Sequence, residues 1–124
     1  MLAATAATLI LMTLTSNPGE NMDQFITRVA PQAQAYTAEH NVEVCGAIGQ
    51  DGETMTLVLT TNSDAWECKV SKVRGKFTGF IFHTHTKKGN EGWANADLAI
   101  PGYLATPKKL LWQDQNKMKK LADY

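Results

Sequence analysis

Apolar positions at Met22, Phe25, Ile26, Val29, Ala33 and Tyr36 recur with the helical period, so one face of this segment should be buried. Asn21 and Gln24 stand at the spacing of a capping box, which predicts a helix over residues 21–40 that ends at His40-Asn41. Pro31 lacks a backbone donor and crowds the carbonyl four residues before it, so a kink or two abutting helices is expected there. From Val42 the period changes to two. Residues 42–48 and 53–60 are β-branched and alternating, and Gly49-Gln50-Asp51-Gly52 between them carries the residues a hairpin turn requires. A third strand is expected over residues 65–73, with Trp66, Cys68 and Val70 on one side. After Gly75 an aromatic-rich strand over residues 77–85 reads as the centre of the sheet. Polar, glycine-bearing residues 86–92 read as a loop and residues 94–100 as a short helix stopped by Pro101. Short strands are expected over residues 103–106 and 110–113, and a terminal helix over residues 114–122.

With 124 residues, 44% hydrophobic and 19% charged, the chain has the material of one ordinary folded domain. Twelve basic residues balance twelve acidic ones, so no bulk charge draws the chain to nucleic acid or an anionic membrane; a partner must be recognised at a local site. Residues 2–14 are apolar and Thr-rich and precede the breaker Asn17-Pro18-Gly19. That run is short of the roughly 20 apolar residues that span a bilayer. Residues 1–20 are therefore set apart as a signal peptide or a packed N-terminal helix, leaving cytoplasmic and exported locations both open, and residues 21–124 form the domain proper. Two cysteines cannot make a disulfide scaffold or a four-thiolate zinc site. Cys45 has three readings: approach to a site, a bridge to Cys68, or packing as a small apolar group, which is the one favoured. Trp66, Trp93 and Trp112 are expected in the core or an interface, Trp93 close enough in sequence to the histidines to line their site.

The chemistry concentrates in His83-Thr84-His85. On a strand, residues two apart face the same way, so two imidazoles converge. Neutral imidazole is a good zinc ligand, and a catalytic zinc takes three protein ligands while leaving a position for water. Asp97, on a short helix after a loop long enough to fold back, completes a His, His, Asp set. Glu43 lies in an otherwise apolar strand, where an acid is costly unless water, a metal or a donor receives it. It is the candidate base for a metal-activated water. Gly46 allows backbone or substrate to approach closely. His40 reads as helix-terminal and the lysine runs as solvated surface. A cupin-type barrel also begins with H-x-H, but no further histidine follows His85.

Glu43-Val44-Cys45-Gly46-Ala47-Ile48, then His83-Thr84-His85, then Ala94-Asn95-Ala96-Asp97, resembles the JAMM motif of the MPN-domain metallopeptidases: a Glu on the first strand, H-S/T-H-P, seven residues, then S-x-x-D. The segment Glu43-x-Cys45-Gly46 looks like that of the bacterial and phage-type members, and it is also similar to the JAB-like domains of bacterial toxins and secreted effectors. The resemblance covers residues 21–113. It implies an α+β, cytidine-deaminase-like α/β/α sandwich with a curved, mostly antiparallel sheet flanked by helices. It also implies zinc on His83, His85 and Asp97, with Glu43 as general acid/base in the cleavage of a peptide or isopeptide bond of a protein substrate. Thr86 stands in place of the family's proline. Ala94 stands in place of the serine whose hydroxyl helps to stabilise the oxyanion; Thr84, Thr86 and Asn95 are the candidate substitutes. The alternative is a catalytically weak or inactive MPN-like binding module within a larger assembly or effector.

Overall fold

Seven strands and one α-helix organise the described residues, 8–87 and 91–124, of this computed structural model. In chain order they are β1 (Leu9–Thr15), α1 (Met22–His40), β2 (Cys45–Asp51), β3 (Thr54–Thr61), β4 (Lys76–Thr84), β5 (Gly102–Ala105), β6 (Lys109–Gln113) and β7 (Met118–Asp123). A short 3₁₀ helix, Asn95–Ala99, lies between β4 and β5. All strands share one sheet in the order β1-β3-β2-β4-β5-β6-β7, which puts the aromatic-rich β4 at its centre, as its composition predicts. Every neighbouring pair is antiparallel except β4 and β5, which run parallel. The chain is therefore α+β with a mostly antiparallel sheet. Among the described residues no helix is long and apolar enough to cross a membrane.

The helix forms where its period and caps predict. Asn21 accepts the Gln24 amide at 2.8 Å while the Gln24 side chain accepts the Asn21 amide at 2.9 Å, closing the capping box. Asn41 ends the helix in the left-handed conformation, φ 54°. Pro31 does not divide it. Phe25, Ile26, Val29 and Ala30 before the proline and Ala33, Gln34 and Thr37 after it are all buried, and this shared packing outweighs a local penalty of about 3 kcal/mol. Their partners include Val44, Ile48, Leu57, Phe82, Tyr103 and Leu110, so α1 covers one face of the sheet. On the hairpin, Gly46 permits the close approach expected of it: a Cβ there would meet the Val58 carbonyl oxygen at 2.4 Å.

Four expectations need correction. Within the N-terminal segment, Leu9–Thr15 is an edge strand and not a helix: it pairs with β3, and Leu11, Met12 and Leu14 pack against the core. Alternating threonines suit a pleated edge better than a helix; residues 2–7 of that run, like residues 88–90 of the loop after His85, lie outside the described residues. Residues 65–73 form no strand, and Trp66 is 66% exposed and so belongs to no core. The terminal segment is β7 and not a helix. The Asp114 carboxylate takes the amides of Asn116 and Lys117, and Gln115 sits at φ 75°, so the chain turns sharply and returns along β6. Pairing there overrides the helical propensity of a lysine-rich stretch. Finally, Cys45 and Cys68 are bridged.

That bridge explains how the second face of the sheet is covered. Here the irregular chain of residues 62–75 lies against β2 and β3, fixed by the disulfide and by backbone contacts. The Glu43 amide donates to the Asp64 carbonyl at 2.7 Å, Thr86 donates its hydroxyl to the Ala65 carbonyl at 3.1 Å, and Thr56 donates to the Arg74 carbonyl at 2.9 Å.

Candidate metal centre

The C-terminal end of β4 delivers the two imidazoles. Phe82 and Thr84 point to the helix side, where the Thr84 hydroxyl lies 2.6 Å from that of Thr37 and accepts the Val44 amide at 3.0 Å. Alternation then turns His83 and His85 to the opposite face. Both are buried, at 7% and 5% exposure, and their ring centroids lie 5.1 Å apart. The His85 amide continues the parallel pairing by donating to the Ala105 carbonyl at 2.9 Å, which fixes the backbone under the second ring.

The chain then leaves the sheet and returns through the 3₁₀ helix, which brings Asp97 back over the histidines. Its Oδ1 lies 3.1 Å from His83 Nε2 and its Oδ2 lies 3.3 Å from His85 Nε2. Two histidines two residues apart and a carboxylate twelve residues further on thus present one donor atom each within 4.8 Å of one another. Zinc–ligand bonds of about 2.0–2.1 Å place tetrahedral ligands about 3.3–3.4 Å apart; the imidazole–carboxylate spacings are of that order, each to a different Asp97 oxygen, so the three side chains could hold one ion. The His83 Nε2 atom adds a second indication. It is buried and, although near Asp97, makes no aligned hydrogen bond, as expected of a nitrogen whose lone pair is meant for a metal.

Asp97 is also fixed from behind. Its Oδ2 accepts the Ala94 amide at 2.8 Å. Gln113, fully buried on β6, donates through Nε2 to the carbonyls of Asp97 at 3.3 Å and Ile100 at 2.7 Å. Gln115 donates to the carbonyls of Leu98 and Ala99 at 3.1 and 2.8 Å. Burial alone would raise the Asp97 carboxyl, but the two imidazoles and the Ala94 amide outweigh it and hold the group well below the usual carboxylate range. It is an anion at any ordinary pH.

Glu43, expected on a strand, lies two residues before the start of β2 and is held on both sides: its amide donates to the Asp64 carbonyl, and its carbonyl accepts the Thr61 hydroxyl at 2.8 Å. The side chain is only 5% exposed. Burial pushes its carboxyl up to about 7, opposed by the neighbouring His85 and reinforced by the charges of Asp97, Asp64 and Glu67. Glu43, His85 and Asp97 therefore share one electrostatic neighbourhood, and a carboxyl that titrates near neutrality suits general acid/base work.

The remaining candidates divide. Trp93 lies beside the site, its ring centroid 6.2 Å from that of His83. Thr84 faces the helix, and the Thr86 hydroxyl is committed to Ala65, so neither is placed to donate to a reacting oxygen. Ala94 contributes only its amide, already used by Asp97. Asn95 is exposed on the first turn of the 3₁₀ helix and remains the one candidate donor of the three. Sequence patterning did not reveal Gln113 or Gln115, whose partners are backbone carbonyls that only folding brings to them. No family model, curated protein or solved structure matches the chain.

Proposed function

We propose that the protein is a zinc-dependent peptidase or isopeptidase of the JAMM type, built on an MPN-like, cytidine-deaminase-like scaffold. The observation that carries this reading is the meeting of His83, His85 and Asp97, with donor atoms within 4.8 Å of one another, beside a buried acid, Glu43. Two nitrogens and a carboxylate oxygen form a donor set suited to zinc with a position left open. When bound, zinc polarises a scissile carbonyl and acidifies a water for attack near neutral pH. The chain's own groups then manage protons and positions. Glu43 accepts a proton from the attacking water at its carboxylate and returns it to the leaving nitrogen, a role that its near-neutral titration supports. Asp97, held by Ala94 and Gln113, keeps its charge and direction throughout.

The expected outcome is one zinc per chain by elemental analysis, with Glu43→Gln retaining the metal and losing hydrolysis of a peptide library. A protein that neither binds zinc nor cleaves any peptide after zinc is supplied would overturn the reading.

One observation favours a second reading, a binding module with little turnover: Ala94 offers no hydroxyl, and two of the three substitutes are committed elsewhere. Losing one oxyanion donor costs roughly 100- to 1,000-fold in rate. If Asn95 replaces the missing donor, Asn95→Ala abolishes turnover while Ala94→Ser leaves it unchanged. A zinc-loaded protein that is inert until Ala94→Ser restores cleavage supports the binding module.

A further inference from the structure

A groove of about 310 Å³ opens on the same face of the sheet as the metal ligands. Its floor is Ala47 on β2 and Ile81 on β4, residues directly opposite each other in the antiparallel register. The next pair on that face, two residues along, is Cys45 opposite His83. Floor and metal centre are therefore consecutive rungs of one ladder. Ile100, which follows the 3₁₀ helix that carries Asp97, forms one side of the groove. The opposite side is Val73 with Lys72, from the segment that the Cys45–Cys68 bridge ties down, and Phe77 closes the far end. Val73, Phe77 and Ile100 are 46%, 44% and 41% exposed, an unusual concentration of apolar surface beside a polar centre.

We infer that this groove is a substrate subsite that takes an extended peptide segment with bulky apolar side chains next to the scissile bond; the inference rests on the peptidase reading above. The occupant follows from three features. Continuity with His83 makes the groove part of the same binding track. Strand geometry sets its reach: at about 3.3 Å per residue, Ile81 lies about 7 Å along the strand from His83, and Phe77, which opposes Gly49 past an irregularity in the register, lies about 13 Å along β2 from the Cys45–His83 pair, the span of a few residues of extended chain. The lining is mainly apolar, with Ser71 and Lys72 as its polar members, so leucine- or phenylalanine-like side chains gain from burial there and acidic ones on the floor do not.

The test uses the full chain loaded with zinc and two series of end-blocked octapeptides. One series carries Leu or Phe at each position in turn; the other carries Ser at the same positions. Binding is followed by fluorescence anisotropy, and cleavage is read separately by mass spectrometry in the same samples. The expected result is at least tenfold tighter binding of the apolar series at two or more adjacent positions. Val73→Asp and Ile100→Asp should remove that preference while zinc content stays unchanged. Equal affinity of the two series, or a preference that survives both substitutions, overturns the subsite. So does a concentration-dependent dimer by light scattering that Val73→Asp dissolves, since the groove would then be an interface between copies. Cleavage without apolar preference leaves the peptidase standing and removes the subsite; apolar binding at the groove without cleavage does the reverse.

Discussion

Glu43 is where one residue's environment sets a measurable property. Its carboxyl ordinarily titrates at 4.5 and is pushed up to about 7 chiefly by burial. Between these values the folded metal-free protein keeps a proton that the unfolded chain has lost, so stability falls as pH rises from about 4.5 to about 7 and then levels. The size of the effect is about 3 kcal/mol at 1.36 kcal/mol per pH unit. Urea unfolding of the metal-free protein across that range should show this slope, and Glu43→Gln should flatten it and stabilise the protein at neutral pH. An unchanged slope would mean that Glu43 is not held as the structure holds it. Zinc should flatten the slope as well, because a nearby cation favours the carboxylate. Glu43, His83 and His85 were legible in the sequence because acid and imidazole groups stand out among apolar neighbours, and Asp97 because it follows the histidine pair at a spacing that lets the chain fold back. Gln113 was not, because a glutamine acquires its role only from the carbonyls that folding brings to it.

At the scale of elements, the 3₁₀ helix has little stability of its own and depends on what grips it. Gln113 takes one of its carbonyls, that of Asp97, and that of Ile100 just after it, and Gln115 takes the carbonyls of Leu98 and Ala99. Replacing Gln113 with Leu should weaken zinc binding by roughly 10- to 100-fold, as loss of a group that orients a ligand commonly does. Calorimetric titration of zinc into the variant checks this, with unfolding measured in parallel; a loss of stability with zinc affinity intact would restrict Gln113 to a packing role. The disulfide acts on the other wall. It closes a loop with a sequence separation of 23, for which the chain-entropy treatment gives about 3 kcal/mol. Reduction should lower unfolding free energy by about that amount and, by freeing residues 62–75, loosen the support of Glu43. The elements that sequence patterning placed well carry their own signals: caps and period for the helix, turn residues for the β2–β3 hairpin, and aromatic and β-branched content for the central strand. It failed at β1, at residues 65–73 and at β7, where pairing with β3, a covalent tie and return along β6 override what the local composition suggests.

For the whole molecule, the sheet has a helix on one face and an irregular, stapled segment with a 3₁₀ helix on the other. The edge strand β1 contributes Leu11, Met12 and Leu14 to the core and pairs along β3. Deleting residues 1–16 should therefore lower the melting temperature and expose the β3 edge, with aggregation visible by light scattering. A truncated protein as stable as the full chain would show β1 to be dispensable. Fold class was readable from the change of period from helix to strand. The α/β/α layering that the motif implied was not, since the described residues contain a single α-helix. The parallel step between β4 and β5 has a further consequence. Strands that run the same way cannot be joined by a tight turn, so the chain must make an excursion out of the sheet between Thr84 and Gly102. The three candidate metal ligands ride on that excursion or at its root, while Glu43 comes from the segment before β2 and Gln113 steadies Asp97 from β6. A lineage could rewrite or lengthen this one detour and acquire new specificity without renegotiating the rest of the architecture.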